Sequence, residues 1–296
     1  MKRKFLFGDE WIYIKIYGNL TVLDRLLTTD LYDLVKEYYE VKIIYNFFFV
    51  RYNDKNGYHL RLRFQVEQNR ISNFIVLLNT KLTNHLNNRL ISNVSTEVYT
   101  REVERYGIEN ITHVESIFGY NSILIIHALK TLKEKEKEDD RWVFGCKIID
   151  DLLNSFQMTT NQKHLLFEEY FKYYEKEFSV DSTLRNKISI KYKKLNDVVF
   201  KELNKDPIEY KLFSLKDKNQ IAIDKILQNF SSIDRKIDLV NLLKNITHMH
   251  FNRIFISKSR ENELVIYYFL SKIYKTLDIL TPKDSKKTNI TSSNLP

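Results

Sequence analysis

Three short clusters of arginine and histidine stand far apart in the chain: His59 to Arg63, Arg101 to Tyr106, and His248 to Arg253. Arginine grips a carboxylate through a planar fork that lysine does not match, and histidine moves protons near neutral pH. Together these side chains suit an acidic substrate. On a strand, Arg61 and Arg63 share one face while Leu60, Leu62 and Phe64 take the other. An ordinary solvated strand face has the same pattern, so the pair alone does not define a site.

In the second cluster, Arg101 with Glu104, or Glu102 with Arg105, would make a self-neutralising surface segment. Whether it continues a strand or turns before Gly107 is open at this level. Beside Arg61 and Arg63, Arg105 would join a cationic site, with Glu102 holding a guanidinium or transferring a proton. The third cluster lies in an apolar helical stretch, Leu242 to Phe255, where a histidine is commonly a satisfied core residue. A spacing of two sets His248 and His250 about 200° apart on a helix, so only one need face a site. Asn252, four residues after His248, shares its face and is placed to fix its ring.

The elements that must carry these clusters follow from periodicity and turn chemistry. Trp11 to Tyr17 predicts a buried strand ending at Gly18. Leu23, Leu26, Leu27, Leu31, Leu34 and Val35 predict one amphipathic helix or two short ones, ending near Glu40. Ile43 to Tyr52 and Tyr58 to Val66 are strands joined by the hairpin signal Asn53 to Gly57. A helix over Ile71 to Leu86 and a strand over Ile91 to Tyr99 complete a β-α-β-β-α-β order, a ferredoxin-like antiparallel sheet with helices on one face.

From His113 onward the pattern is helical: Val114 to Leu132, Arg141 to Phe156, Lys163 to Phe178, Leu184 to Leu203, Asp217 to Asn229, and one long run from Ile233 to Tyr274. Pro207 breaks it. The charged run Lys133 to Arg141 predicts a solvated helix end or loop. The expected fold is α+β: one domain over residues 1–280, mixed over 1–112 and helical over 113–280, with a loose tail over 281–296.

With 296 residues and 43% hydrophobic content, the chain is large enough for a core that needs no staples. The single Cys146 cannot form an internal disulfide, and no Cys/His cluster has the spacing of a zinc site, so neither metal nor cofactor is expected. No stretch approaches the roughly 20 apolar residues of a membrane span, and Gly8 to Glu10 interrupts any signal-peptide core, so a cytoplasmic location is expected. The net charge of +9 favours an anionic partner. Its lysines, as in Lys187 to Lys194 and Lys283, Lys286 and Lys287, are scattered like a solvated surface rather than gathered like a nucleic-acid footprint.

The clusters, taken in order with Trp11 to Gly18, Phe49 to Tyr52, Tyr99 to Gly107 and Glu115 to Phe118, resemble the C-terminal elimination domain of class I lantibiotic (lanthipeptide) dehydratases, also called the thiopeptide-type bacteriocin biosynthesis domain. The resemblance runs over nearly the whole chain. It implies a lyase that removes glutamate from glutamylated Ser or Thr of a ribosomally made precursor peptide, leaving dehydroalanine or dehydrobutyrine. It implies Arg61, Arg63, Glu102, Arg105 and His248 as catalytic residues, with Arg101, Asn252 and Arg253 binding substrate.

Glutamylation, by the same resemblance, belongs to a separate tRNA-dependent protein, and a cyclase is a further partner. Direct tRNA binding by this chain is not expected. Ile108 and Asn121-Ser122 depart from the family pattern, which bears on loop shape and substrate fit. Two alternatives remain: a thiopeptide pyridine synthase, a branch expected to lack the elimination set, and a non-catalytic peptide- or RNA-binding module, which lacks an RNA-recognition aromatic motif on the strands.

Overall fold

The computed structural model describes residues 1–132, 139–208, 215–231 and 238–280. The charged run after Leu132 lies mostly outside the described residues, as does the predicted tail. The fold is α+β with antiparallel sheets.

Four strands form the main sheet: β2 (Trp11–Gly18), β3 (Ile44–Asp54), β4 (Gly57–Val66) and β5 (Ile91–Glu97). They lie in the order β3-β4-β2-β5, each neighbour antiparallel. The predicted helical stretch after Gly18 is two helices, α1 (Leu20–Thr28) and α2 (Asp30–Glu40). Asn19 caps the first by accepting the Thr21 amide at 2.9 Å. The β3–β4 turn closes because Asp54 accepts the Asn56 amide at 2.8 Å and Gly57 takes φ +105°, a conformation glycine adopts without steric cost.

Period-two alternation divides the sheet into two faces. Leu60, Leu62, Phe64 and Val66 of β4 are buried on one, with Phe47 and Phe49 paired beside them, and Phe64 meets Phe74 of α3 (Ile71–Asn87). His59, Arg61 and Arg63 stand on the opposite face, in register with Tyr17, Lys15 and Tyr13 of β2. One strand therefore serves as core wall and as carrier of cations.

The strand predicted over Ile91 to Tyr99 stops at Glu97. After Val98 the chain joins a second, two-stranded sheet, in which β6 (Tyr99–Thr100) pairs with β1 (Lys4–Phe5). A single helical turn follows, α4 (Val103–Tyr106), which Gly107 ends at φ +82°. Neither the second sheet nor the short turn is visible in the sequence pattern, because two-residue strands have no period.

Helices α5 (Ile111–Leu132), α6 (Asp140–Ser155), α7 (Thr160–Glu177), α8 (Ser182–Leu203) and α9 (Leu215–Ser231) agree with prediction to within a few residues. α5 lies along β3, and Gly119 permits the approach: a Cβ there would stand 1.9 Å from Asn46 Oδ1. Asn46 donates instead to the Glu115 carbonyl at 2.9 Å. The predicted run from Ile233 to Tyr274 is corrected to α10 (Leu239–Ile254) and α11 (Ser259–Leu280). Between them Phe255 is extended and Lys258 takes φ +51°, a turn made without the glycine or proline that usually signals one.

Candidate active site

An aromatic and cationic assembly lies where the open face of β4 meets the α4 segment and α10. The Arg63 guanidinium lies 4.3 Å from the Tyr13 ring centre and 5.3 Å from those of Phe48 and Tyr99. Phe48 reaches Phe118 of α5 at 5.7 Å, and Phe118 meets Tyr106 of α4 edge-on at 5.6 Å. The Arg253 guanidinium stacks over the same Phe118 ring at 4.4 Å. Strand, turn and helix are thus tied through one group of rings.

Arg253 is fully buried. Its Nη1 donates to the Met249 carbonyl at 2.9 Å and lies 3.5 Å from Asn121 Oδ1. Its Nε and Nη2 are buried without an acceptor among the described residues, as are Nε and Nη1 of Arg63. Burial pushes the Arg253 pKa down to about 9; Tyr106 opposes this and the charge of Arg63 adds to it. The charge of Arg63 thus disfavours that of Arg253, and buried donors of this kind are groups that an anion can satisfy.

Arg105 lies at the α4 edge of this assembly. Its Nε donates to Asn245 Oδ1 at 3.2 Å and its Nη1 to Glu102 at 3.1 Å. Glu102 is exposed, so the local pairing expected of Glu102 and Arg105 forms while Arg105 also touches α10. Spacings of three and four put Asn245, His248 and Asn252 on one helix face, which sets His248 one turn from the residue that holds Arg105.

His248 is half-buried. Its Nδ1 is 2.6 Å from Oε1 of the fully buried Glu263 of α11, and its Nε2 is 3.0 Å from Asn252 Nδ2. His250 faces the core, 2.8 Å from the Ile246 carbonyl, and burial pushes its pKa down to about 3. The two histidines divide as their helical spacing requires.

Arg61 leans toward the hairpin. Its guanidinium stacks on Tyr52 at 3.5 Å, and its Nε donates to His59 Nε2 at 3.2 Å. Burial also lowers the His59 pKa, consistent with an imidazole that accepts from Arg61 and donates through Nδ1 to the Gly57 carbonyl at 3.0 Å.

Arg101, expected to bind substrate, lies in an ion-paired cluster. It is buried and forks onto both oxygens of Glu115 at 2.7 and 2.8 Å, while Nη1 donates to the Lys2 carbonyl at 2.9 Å. Tyr99 also donates to Glu115, at 2.6 Å. Each nitrogen of this guanidinium has an acceptor in the segment it holds.

Sequence reasoning missed Glu263, Asn245 and Tyr106. A carboxylate on the apolar stripe formed by Glu263, Tyr267, Leu270 and Tyr274, at spacings of four, three and four, was the available signal for the first. Among the described residues no group of His, Cys, Asp and Glu side chains could hold a metal ion, and no helix is long and apolar enough to cross a membrane.

The chain and its fold have counterparts among known proteins. The chain is 28% identical over 277 residues to nisin biosynthesis protein NisB of Lactococcus lactis subsp. lactis, covering 92% of this chain and 26% of that one. It is 23% identical to subtilin biosynthesis protein SpaB of Bacillus subtilis over 272 residues, 87% of this chain and 25% of that one. It thus spans about a quarter of the length of these curated relatives. The fold resembles that of the tRNA-dependent lantibiotic dehydratase MibB from Microbispora sp. 107891, with TM-score 0.68 and 19% identity over 93% of this chain and 29% of that one. It also resembles TbtD, the pyridine synthase of thiomuracin biosynthesis, with TM-score 0.62 and 10% identity over 92% of this chain and 100% of that one. The family model for the lantibiotic biosynthesis dehydratase C-terminal region matches residues 11–274, and the chain belongs to that family.

Proposed function

We propose that this protein is a lyase that eliminates glutamate from glutamylated Ser or Thr side chains of a ribosomal precursor peptide, giving dehydroalanine or dehydrobutyrine. One observation carries the reading: Arg63 and Arg253 hold buried guanidinium nitrogens without acceptors among the described residues, while Arg105 bonds to Asn245 on the helix face that bears His248. A carboxylate is the partner such forks fit. The family is one of dehydratases, and in this reading the group that leaves is a carboxylate.

Elimination needs a base for the α-proton, stabilisation of the enolate-like charge, and help for the departing carboxylate. In this reading His248 takes the proton, Arg63 and Arg105 absorb the developing charge, and Arg61 and Arg253 hold the glutamyl carboxylates. Glu102 steadies Arg105, and Asn252 orients the histidine ring. Arg101 serves the fold. Electrostatic donors of this kind each contribute about 3 kcal/mol when well placed, roughly a hundredfold in rate.

The test is incubation with a glutamylated precursor peptide, read by mass spectrometry. Wild-type protein should release glutamate, and Arg63→Ala, Arg105→Ala and His248→Ala should each leave the glutamylated peptide to accumulate. Full dehydration by all three variants would remove these residues from the mechanism.

A second reading is favoured by the TbtD likeness, which extends over the whole of that chain. A pyridine synthase would return loss of water and of leader peptide instead of loss of glutamate. The co-occurrence of Arg61, Arg63, Glu102, Arg105 and His248 supports the eliminase. The partners that go with this reading are a separate glutamylation protein and a cyclase, in the cytoplasm. The strand order β3-β4-β2-β5 supports a ferredoxin-like assignment for the first part of the chain.

A further inference from the structure

The structure assigns Glu263 as the positioning residue that fixes the tautomer of His248 and so makes its Nε2 the base, an inference that rests on the elimination reading above. Glu263 is fully buried on α11 and its two oxygens have different donors. Oε1 faces His248 Nδ1 at 2.6 Å, and Oε2 accepts the hydroxyl of Tyr174 from α7. A carboxylate only accepts, so the imidazole proton sits on Nδ1.

The far side of the ring agrees independently. Ser259 Oγ donates to Asn252 Oδ1 at 2.7 Å, which turns the Asn252 amide nitrogen toward His248 Nε2 at 3.0 Å. An N–H aimed at Nε2 requires a lone pair there. The serine, the asparagine, the imidazole, the glutamate and the tyrosine form one connected chain, in which the carboxylate as acceptor places a proton on Nδ1 and the Asn252 orientation is compatible with a free Nε2.

When substrate enters, Nε2 exchanges the Asn252 contact for the α-proton. The Cα–H electron pair becomes the Cα=Cβ bond, the Cβ–O bond breaks, and glutamate departs with that electron pair as a carboxylate. The proton remains on Nε2 until it is lost to solvent. Through this step Nδ1–H stays on Glu263, whose charge offsets the imidazolium that forms, as the buried aspartate does for the histidine of serine proteases.

Other charges around this pair are more distant or already matched. On α7 and α11, Arg260 is paired with Glu177 and its guanidinium lies 5.0 Å from the Tyr174 ring. On α10, Lys244 lies 3.3 Å from the Tyr173 ring and interacts electrostatically with Glu169, Glu177 and Glu263. On the α4 side stand Arg105 and its partner Glu102. None of these makes a hydrogen bond to the ring of His248.

Two measurements test the assignment, one independent of turnover. Nitrogen-15 NMR of the full chain should show His248 as the Nδ1–H tautomer, a preference that should weaken in Glu263→Gln. On glutamylated peptide, Glu263→Gln should lower kcat on the order of a hundredfold or more, move the acid limb of the pH profile to lower pH, and leave KM nearly unchanged. Glu263→Asp should recover part of kcat. Tyr174→Phe, which removes a competing donor from the carboxylate, should move the limb the other way and provides a check should Glu263→Gln fail to fold.

A wild-type Nε2–H tautomer, or a pH limb unmoved in both variants, would overturn the role of Glu263. Wild-type protein that releases no glutamate would overturn the elimination reading instead, while the NMR tautomer still decides whether Glu263 governs the ring.

Discussion

Arg101 and Arg253 are both buried, yet their surroundings are opposite. Arg101 spends its fork on Glu115 and its remaining nitrogen on a carbonyl. Arg253 has one carbonyl, one long amide contact and an aromatic ring, with two nitrogens unserved among the described residues. The difference teaches what a buried guanidinium is for. Where the fold supplies the carboxylate, the arginine is architecture; where the described residues supply none, the buried donors are free for the carboxylate that the proposed function brings.

The comparison breaks most visibly at Arg101. Removing one partner of a buried ion pair costs about 3–5 kcal/mol because the other is left charged and dry, so Arg101→Ala should lower Tm by roughly 10 °C. A melt within a degree or two of wild type would show that the Glu115 cluster holds nothing together. Arg253→Met should do the reverse. It replaces an unserved cation with an apolar side chain of similar length, so Tm should hold or rise while elimination falls roughly a hundredfold. Loss of stability in both variants would erase the distinction.

A gentler test supplies the missing anion. N-acetylglutamate at ten times its Kd should stabilise the wild type by about 1.4 kcal/mol, visible as a rise in Tm that is absent in Arg253→Met. Equal shifts in the two proteins would place the anion elsewhere.

The smallest effect at neutral pH comes from His250, which sharpens the comparison by showing a buried base that stays neutral. Its folded pKa, about 3, lies below the ordinary histidine value of 6.5, so the unfolded chain binds the extra proton between those limits. Its contribution is complete above pH 6.5 and is lost progressively as pH falls toward 3. His250→Leu should flatten the dependence of Tm on pH across that window, and an unchanged slope would locate the acid sensitivity in other groups.

Legibility followed the range of the interaction. The β3–β4 hairpin was readable because Asp54, Asn56 and Gly57 settle it among themselves. The division of β4 into two faces was readable because alternation needs only neighbours. The break between α10 and α11 was not, since Lys258 takes a left-handed conformation that glycine normally marks. The surroundings of Arg101 were not readable because its partner, Glu115, lies on a helix whose packing no local pattern reveals. Glu263 left one local trace, a carboxylate on an apolar stripe, but its donors, Tyr174 of α7 and His248 of α10, come together only in the packed helices.

One further consequence belongs to the small sheet of β1 and β6. The Arg101 amide donates to the Arg3 carbonyl at 3.0 Å, the Arg101 side chain holds the Lys2 carbonyl, and Arg3 reaches Glu104. The first residues of the chain are thus laced to the very segment that presents Glu102 and Arg105. Tension on residues 2–5 is transmitted across a few hydrogen bonds to the rim of the site. Substitutions that break these bonds, Arg3→Ala first, should therefore loosen the turn that carries Arg105.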